Sequence, residues 1–464
     1  MAAAEPLRYW LTDTRRAPDG ARLLQFGGAI LLATAALALI SGQTPGPALA
    51  LATMSILMVA SLAWLCLIGA IREGNAAQGF VTILAIGAGM RAILFASDPI
   101  LELDYLRYLW DGAAVGAGLT PYATPPGDAA AGLAGPAWSR LAAESGGLVT
   151  SVTYGHLSTV YPPVAQAGFA LAHWLEPWGL TGLRLVLLGA EIAGLWLLIR
   201  LLDHLGRARI WAAVYWCNPL IAKEITNSAH MEALLLPLLI GAVLLALRQR
   251  QILAGVMLAC AAAVKVWPLV LAPVLFAGTT WQRWIAASAT LGAATLILFL
   301  PILISRLDQS SGFVAYAGNW ERNAALFPLL VSIADWGLAQ AGAYLIDPGR
   351  IARFIVAAVV GGTALFLAYR QRVERLPANV LAVVALLFLL SPTGYTWYYA
   401  WFLPFLCLVP NRGLLLLGAM LPLYYLRFAM VDWELGHHFD TWIVWVEFLP
   451  PLALIAWDLV RQRR

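Results

Sequence analysis

Apolar runs about twenty residues long recur along this chain, and nothing else in the sequence limits its fold as much. A run of that length spans the roughly 30 Å hydrocarbon core of a bilayer as a helix. The composition agrees: 61% of residues are hydrophobic and only 12% are charged, against about 25% charged in soluble domains. These values exclude a soluble enzyme, a disordered tail and a disulfide scaffold. The runs are continuous rather than alternating ten-residue segments, which excludes a transmembrane barrel. The expected fold is all-α: a polytopic transmembrane helical bundle of about 12–14 spans, some of them broken. The 464 residues read as a single integral-membrane domain with one large outer loop, 98–163, carrying interfacial helices.

Charge placement orients the chain. Of the 29 basic residues only Lys223 and Lys265 are lysines, which leaves 27 arginines. Arg8, Arg15, Arg16 and Arg22 precede the first run, and spans near 22–41, 48–71 and 78–96 then lead to the 98–163 loop. Further spans are expected near 181–201, 284–304, 351–370, 378–393, 397–410, 413–430 and 441–459. Two excursions, 210–247 and 251–277, turn around polar clusters. Eighteen arginines then fall on the inner side and nine on the outer, as the positive-inside rule asks. Both termini are expected to be cytoplasmic in an integral plasma (inner) membrane protein. The first run is longer than the core of a cleavable signal peptide and reads as a retained span. Short arginine clusters between apolar runs do not make a nucleic-acid stripe. Cys66, Cys217, Cys260 and Cys407 are too scattered for a metal or disulfide role and read as buried thiols.

Three places carry chemistry. The outer loop opens with four carboxylates, an arginine and three aromatics within Asp98–Asp111. Glu102 and Asp104 are separated by one residue; on a helix, Asp104, Tyr108 and Asp111 share a face. Carboxylates at a membrane edge act as a base toward a hydroxyl or hold a divalent metal beside a phosphate. A solvated interfacial helix with no such role fits the spacing equally well. The second place is Asn218-Pro219 with Lys223, Glu224, Asn227, His230 and Glu232, and the third is Lys265 before Trp267-Pro268. Ionisable residues within apolar segments are costly and mark function. The two readings there are an anion site at a broken helix, and a lysine that snorkels or pairs with Glu224. His156 reads as a structural loop histidine.

The segment Asp104-Tyr105-Leu106-Arg107-Tyr108-Leu109-Trp110-Asp111-Gly112, with Pro121-Tyr122 and Thr159-Val160-Tyr161-Pro162-Pro163, resembles the first outer loop of C-fold polyprenyl-phosphate-sugar glycosyltransferases. The mannosyltransferase-like glycosyltransferase family 87 is the nearest in pattern. The likeness runs from about residue 78 to 405 and leaves 1–77 outside. Asn218-Pro219, Glu224 and Asn227 to Glu232 resemble the family's Asn-Pro…Glu…Gly-His-x-Asp, with Ala229 and Glu232 as departures. Lys265-Val266-Trp267-Pro268 is similar to its lysine–proline element, and Trp397-Tyr398-Tyr399-Ala400-Trp401 to a late aromatic one. Leu103 stands where the family often has an aspartate.

The resemblance implies a membrane hexosyltransferase, inverting at the donor carbon. It would move mannose or another hexose from a polyprenyl-phosphate donor to a lipid, glycan or protein acceptor on the outer face. Asp104 would be the base, with Glu102 assisting it or joining it to hold Mg or Mn. Lys265, Arg427 and Arg322 would meet the donor phosphate. Arg107, Tyr108, Asp111, Tyr161, Glu224, Asn227, His230, Trp397 and Tyr398 would line the substrate site. The rival reading is a secondary transporter with a Lys223, Glu224, His230 and Lys265 relay, although no internal repeat is visible.

Overall fold

The computed structural model describes residues 20–71, 76–305, 307–370 and 373–462. Arg8, Arg15, Arg16, Arg72, Arg306, Arg372, Arg463 and Arg464, used above to orient the chain, lie outside them. The protein is a polytopic helical membrane protein. Among the described residues, eight helices are long and apolar enough to cross a bilayer, or nine if one sharply bent pair is a single span. Four further apolar helices have 10–17 residues, too short to cross alone.

Helices α1 (Gly20–Ile40), α2 (Pro47–Ala70) and α3 (Ala76–Phe95) are three antiparallel rods. Pro47 starts α2 at a position where its missing N–H costs nothing. An odd number of long helices therefore separates residue 20 from the loop that follows Phe95. That loop holds α4 (Asp104–Gly116) and two shorter helices, Pro126–Ala130 and Pro136–Glu144. A small core of its own holds it together, built on Trp110, Trp138, Val149 and Val152. Helix α5 (Pro163–Leu175) closes the loop, and α6 (Leu180–His204) returns the chain. Gly112 is required where α4 meets α5, because a Cβ there would lie 2.2 Å from the Phe169 carbonyl oxygen.

The stretch 210–233 is buried at every position. Asn218 caps the short helix Pro219–Ala222 by accepting from the Ile221 amide. A π turn, Lys223–Asn227, follows, and the chain then bends by 118° into α7 (Glu232–Leu247). Helix α8 (Gln251–Ala262) ends just before Lys265. Beyond it come α9 (Trp281–Leu303), α10 (Leu326–Gln340), α11 (Pro348–Tyr369) and α12 (Leu376–Leu390).

The span expected at 397–410 is not one. Residues Thr396–Trp401 make a 3₁₀ turn and Leu403–Leu406 a four-residue helix, both buried. Packed aromatic rings replace a lipid-facing surface there. The last two long helical stretches are Arg412–Asp432 and Gly436–Arg461. The spans nearest the N-terminus are riveted by one buried ion pair. Arg91 of α3 meets Glu191 of α6 at 2.5 Å, donates to the Trp216 carbonyl at 2.7 Å and lies over the Trp216 ring.

Candidate active site

Two turns build the site, and each is strained. Leu101 has φ 65° and Ala229 has φ 57°, both in the left-handed region that non-glycine residues avoid. The residue after each is ionisable: Glu102 and His230. Strain of this kind persists only where the surroundings over-determine it.

At Leu101 the surroundings are Asn227 and Arg184. The Asn227 Oδ1 accepts from the Ile100 amide at 2.9 Å, and its Nδ2 donates to Ser97 Oγ at 2.8 Å and to the Asp98 carbonyl at 2.6 Å. Arg184, from α6, donates to the carbonyls of Phe95, Ser97 and Asn227. The Asn227 amide is thus taken up by backbone rather than open to a substrate, and it bolts the outer turn to the π turn. Arg184 was not anticipated. Its signal was a lone arginine inside an apolar span.

With both turns fixed, separated residues converge. Asp104 begins α4, half-buried, and its electrostatic neighbours are His230, Glu232, Lys265 and Arg107. Glu102 is buried beside Lys223, Glu224, His230 and Asp104. Loss of water pushes the Glu102 carboxyl up to about 8, with Glu224 and Asp104 adding to the rise and Lys223 and His230 opposing it. Burial also raises Asp104 above the usual carboxylate range.

Lys265 reaches Glu232 Oε1 at 2.6 Å, not Glu224. Its ammonium sits 3.6 Å from the Tyr398 ring centre and 5.0 Å from that of Trp401. With 17% of its side chain exposed, it keeps donors free for a further anion. Lys223 is sealed, donating to the Tyr425 hydroxyl at 2.7 Å and lying 3.5 Å from Glu224. Glu224 accepts from Thr396 and Tyr425, and His230 lies 3.4 Å away. His230 stacks on Trp397 at 3.8 Å, and Trp397 stacks on Tyr395 at 4.3 Å. Several buried polar atoms of these residues have no hydrogen-bond partner: Glu102 Oε1, Glu232 Oε2 and His230 Nδ1. Such groups are costly unless something binds there.

The other expected residues of the outer loop bond and pack with one another, and Tyr108 and Tyr161 have Asp104 as an electrostatic neighbour. Asp111 accepts from Thr159 and from Gln166 at 2.9 Å and pairs with Arg107 at 3.2 Å; Arg107 also donates to the Leu157 carbonyl. Tyr108 and Tyr161 pack edge to face at 5.0 Å, both against Phe169. These four hold the outer loop closed behind Asp104.

Arg427 is engaged by both oxygens of Asp440. Arg322 is half-buried, and its peptide is bridged to Pro392 and Gly394. Both arginines are electrostatic neighbours of Tyr424. Among the described residues no three His, Cys, Asp or Glu side chains gather to hold a metal. Glu102 has Lys223 and His230, and Asp104 has His230 and Lys265, as cationic or potentially cationic neighbours. The four cysteines are free; Cys217 and Cys407 are buried and Cys66 is exposed.

Fold and site together define an integral-membrane protein that encloses carboxylates, lysines and aromatic rings drawn from distant parts of the chain. A model of glycosyltransferase family 87 matches residues 159–392, half of the sequence, and the chain belongs to that family. It is 26% identical over 369 residues to alpha-(1->6)-mannopyranosyltransferase A of Mycobacterium tuberculosis, with 73% of this chain and 67% of that protein covered. No solved structure gives a significant match. Family membership makes the protein a membrane glycosyltransferase and removes the transporter reading. The family match covers Glu224, His230 and Lys265 but begins after Asp104.

Proposed function

We propose that the protein transfers a hexose from a polyprenyl-phosphate carrier to a hydroxyl-bearing acceptor at the outer face of the membrane, with inversion at the sugar carbon. The hexose is mannose, the sugar in the name of the mycobacterial relative. One observation carries the reading. Asp104 and Lys265, 161 positions apart in sequence, are electrostatic neighbours at one site.

In the proposed step an acceptor hydroxyl oxygen attacks the sugar carbon that bears the phosphate. Asp104 takes the hydroxyl proton, and the carbon–oxygen bond to the phosphate breaks with its electron pair going to the carrier phosphate. Lys265, held by Glu232 over Tyr398, neutralises the charge that develops on that phosphate, an interaction that is strong in a water-poor site. His230, aligned by Glu224 and Trp397, faces the same carboxylate. The outer-face assignment is supported by the three long helices among the described residues before Asp104 and by the arginine bias.

Asp104→Asn keeps size and hydrogen bonding but removes the base. Transfer from a radiolabelled polyprenyl-phosphate mannose by the purified protein should fall by about 10²-fold or more, while the protein remains folded and binds donor. Normal turnover by this variant would refute the assignment.

A further inference from the structure

We infer that Tyr154, Tyr316 and Trp320 form the acceptor side of the site and that this rim receives a sugar ring. The inference rests on the glycosyl-transfer reading above and names the acceptor class. The rim is built by a close approach of two loops. A Cβ on Gly312 would lie 2.4 Å from the Ser158 carbonyl oxygen, and the Ser158 amide donates to Ser310 at 2.8 Å. This contact sets the helix Gly312–Asn319, and Trp320 beyond it, against the outer loop.

The Tyr154 and Trp320 rings meet edge to face at 4.6 Å, Trp320 lies 6.0 Å from Tyr316, and His156 lies 6.4 Å from Tyr154. Tyr154 has φ 54° and is 47% exposed. Neither burial nor local preference accounts for a large aromatic residue held that way, whereas presenting its ring does.

The rim is continuous with the catalytic space. The Tyr316 hydroxyl lies 2.8 Å from that of Tyr398, the ring beneath Lys265. Tyr395 has both Asp104 and Tyr154 as electrostatic neighbours. Here two loops interlock to bring the rings together, and Tyr316 is hydrogen-bonded inward. A pyranose offers an apolar C–H face and a rim of hydroxyls. The ring faces with the Tyr hydroxyls and His156 at their edges match both.

The test measures mannotriose binding to the full-length protein in lipid nanodiscs without donor, by calorimetry. Trp320→Ala and Tyr154→Ala should each raise the Kd about three- to tenfold, the value of one aromatic contact, and Trp320→Phe should restore most of it. In the transfer assay the acceptor KM should rise while the donor KM stays put. Undetectable binding to the unaltered protein overturns the inference. So does unchanged affinity in both alanine variants, even if their thermal stability drops as for a lost membrane anchor. Because binding is read without turnover, a failure of Asp104 as base and a failure of the rim give different results.

Discussion

The stretches 210–233 and 281–303 are of similar length, yet they meet opposite surroundings. Every residue of the first is buried, while of the second only Ala287, Leu291 and Ile302 are. The first contains Asn218, Lys223, Glu224, Asn227, His230 and Glu232; the second, helix α9, has a single charged residue, Arg283. Hydrocarbon accepts the second and rejects the first unless protein encloses it. Polar content inside an apolar run therefore reports enclosure, and with it where a reaction can be shielded from both lipid and water.

The comparison is broken most forcefully by stranding a charge in the enclosed stretch. Lys265→Met leaves Glu232, 1% exposed, without its cation and should cost about 3–5 kcal/mol, read by thermal unfolding in detergent. Adding Glu232→Gln should return the stability but not the donor affinity. Recovery of both would make Lys265 a purely structural lysine. A smaller effect is expected from Asn227→Ala, which leaves the Ile100 amide and two further partners unmatched. The loss should be about 1–3 kcal/mol. Because the outer turn loosens, kcat should fall by roughly tenfold or more, since small misplacements are costly in catalysis. Unchanged kcat would show that the bolt does not position the base.

Glu102 sharpens the comparison through pH. Its folded value near 8 lies above the ordinary 4.5. Its contribution to stability is therefore fully present below about pH 4.5 and is lost as pH rises through 8. Glu102→Gln should match the unaltered protein near pH 5 and exceed it in melting temperature at pH 9; equal melting temperatures at pH 9 would contradict this. The smallest effect is expected at Ala229. Glycine there relieves about 1–2 kcal/mol of left-handed strain, but loses about 0.8 kcal/mol of methyl burial and a similar amount of chain entropy. Ala229→Gly should move stability by no more than about 0.5 kcal/mol, and a larger loss would mean that Ala229 is not strained.

Much of the fold was legible because hydrophobicity is local. The run at 22–41 is the helix Gly20–Ile40, and 284–304 is Trp281–Leu303. Segment 397–410 misled because Trp397 to Trp401 are as apolar as a span, and only tertiary packing shows that they stack on His230 and Lys265. Helix α10 was not anticipated, since its 15 residues fall short of a crossing. Within the site, residue types and neighbourhoods were legible and pairings were not. Lys265 meets Glu232 from 33 positions away, a separation that no spacing rule covers. Asp111 and Asn227 stood in functional motifs, but their hydrogen bonds serve the backbone and the loop.

The Arg91–Glu191 pair has a consequence for how the chain enters the membrane. The two residues are 100 positions apart, so α3 leaves the ribosome well before α6. During that interval the arginine sits in an apolar segment without its counterion, at an insertion cost of about 2.5–3.5 kcal/mol. Helix α3 is therefore expected to wait beside the translocon or against α1 and α2, and to commit to the lipid only when α6 arrives. The order of synthesis thereby sets the order of assembly at this end of the bundle.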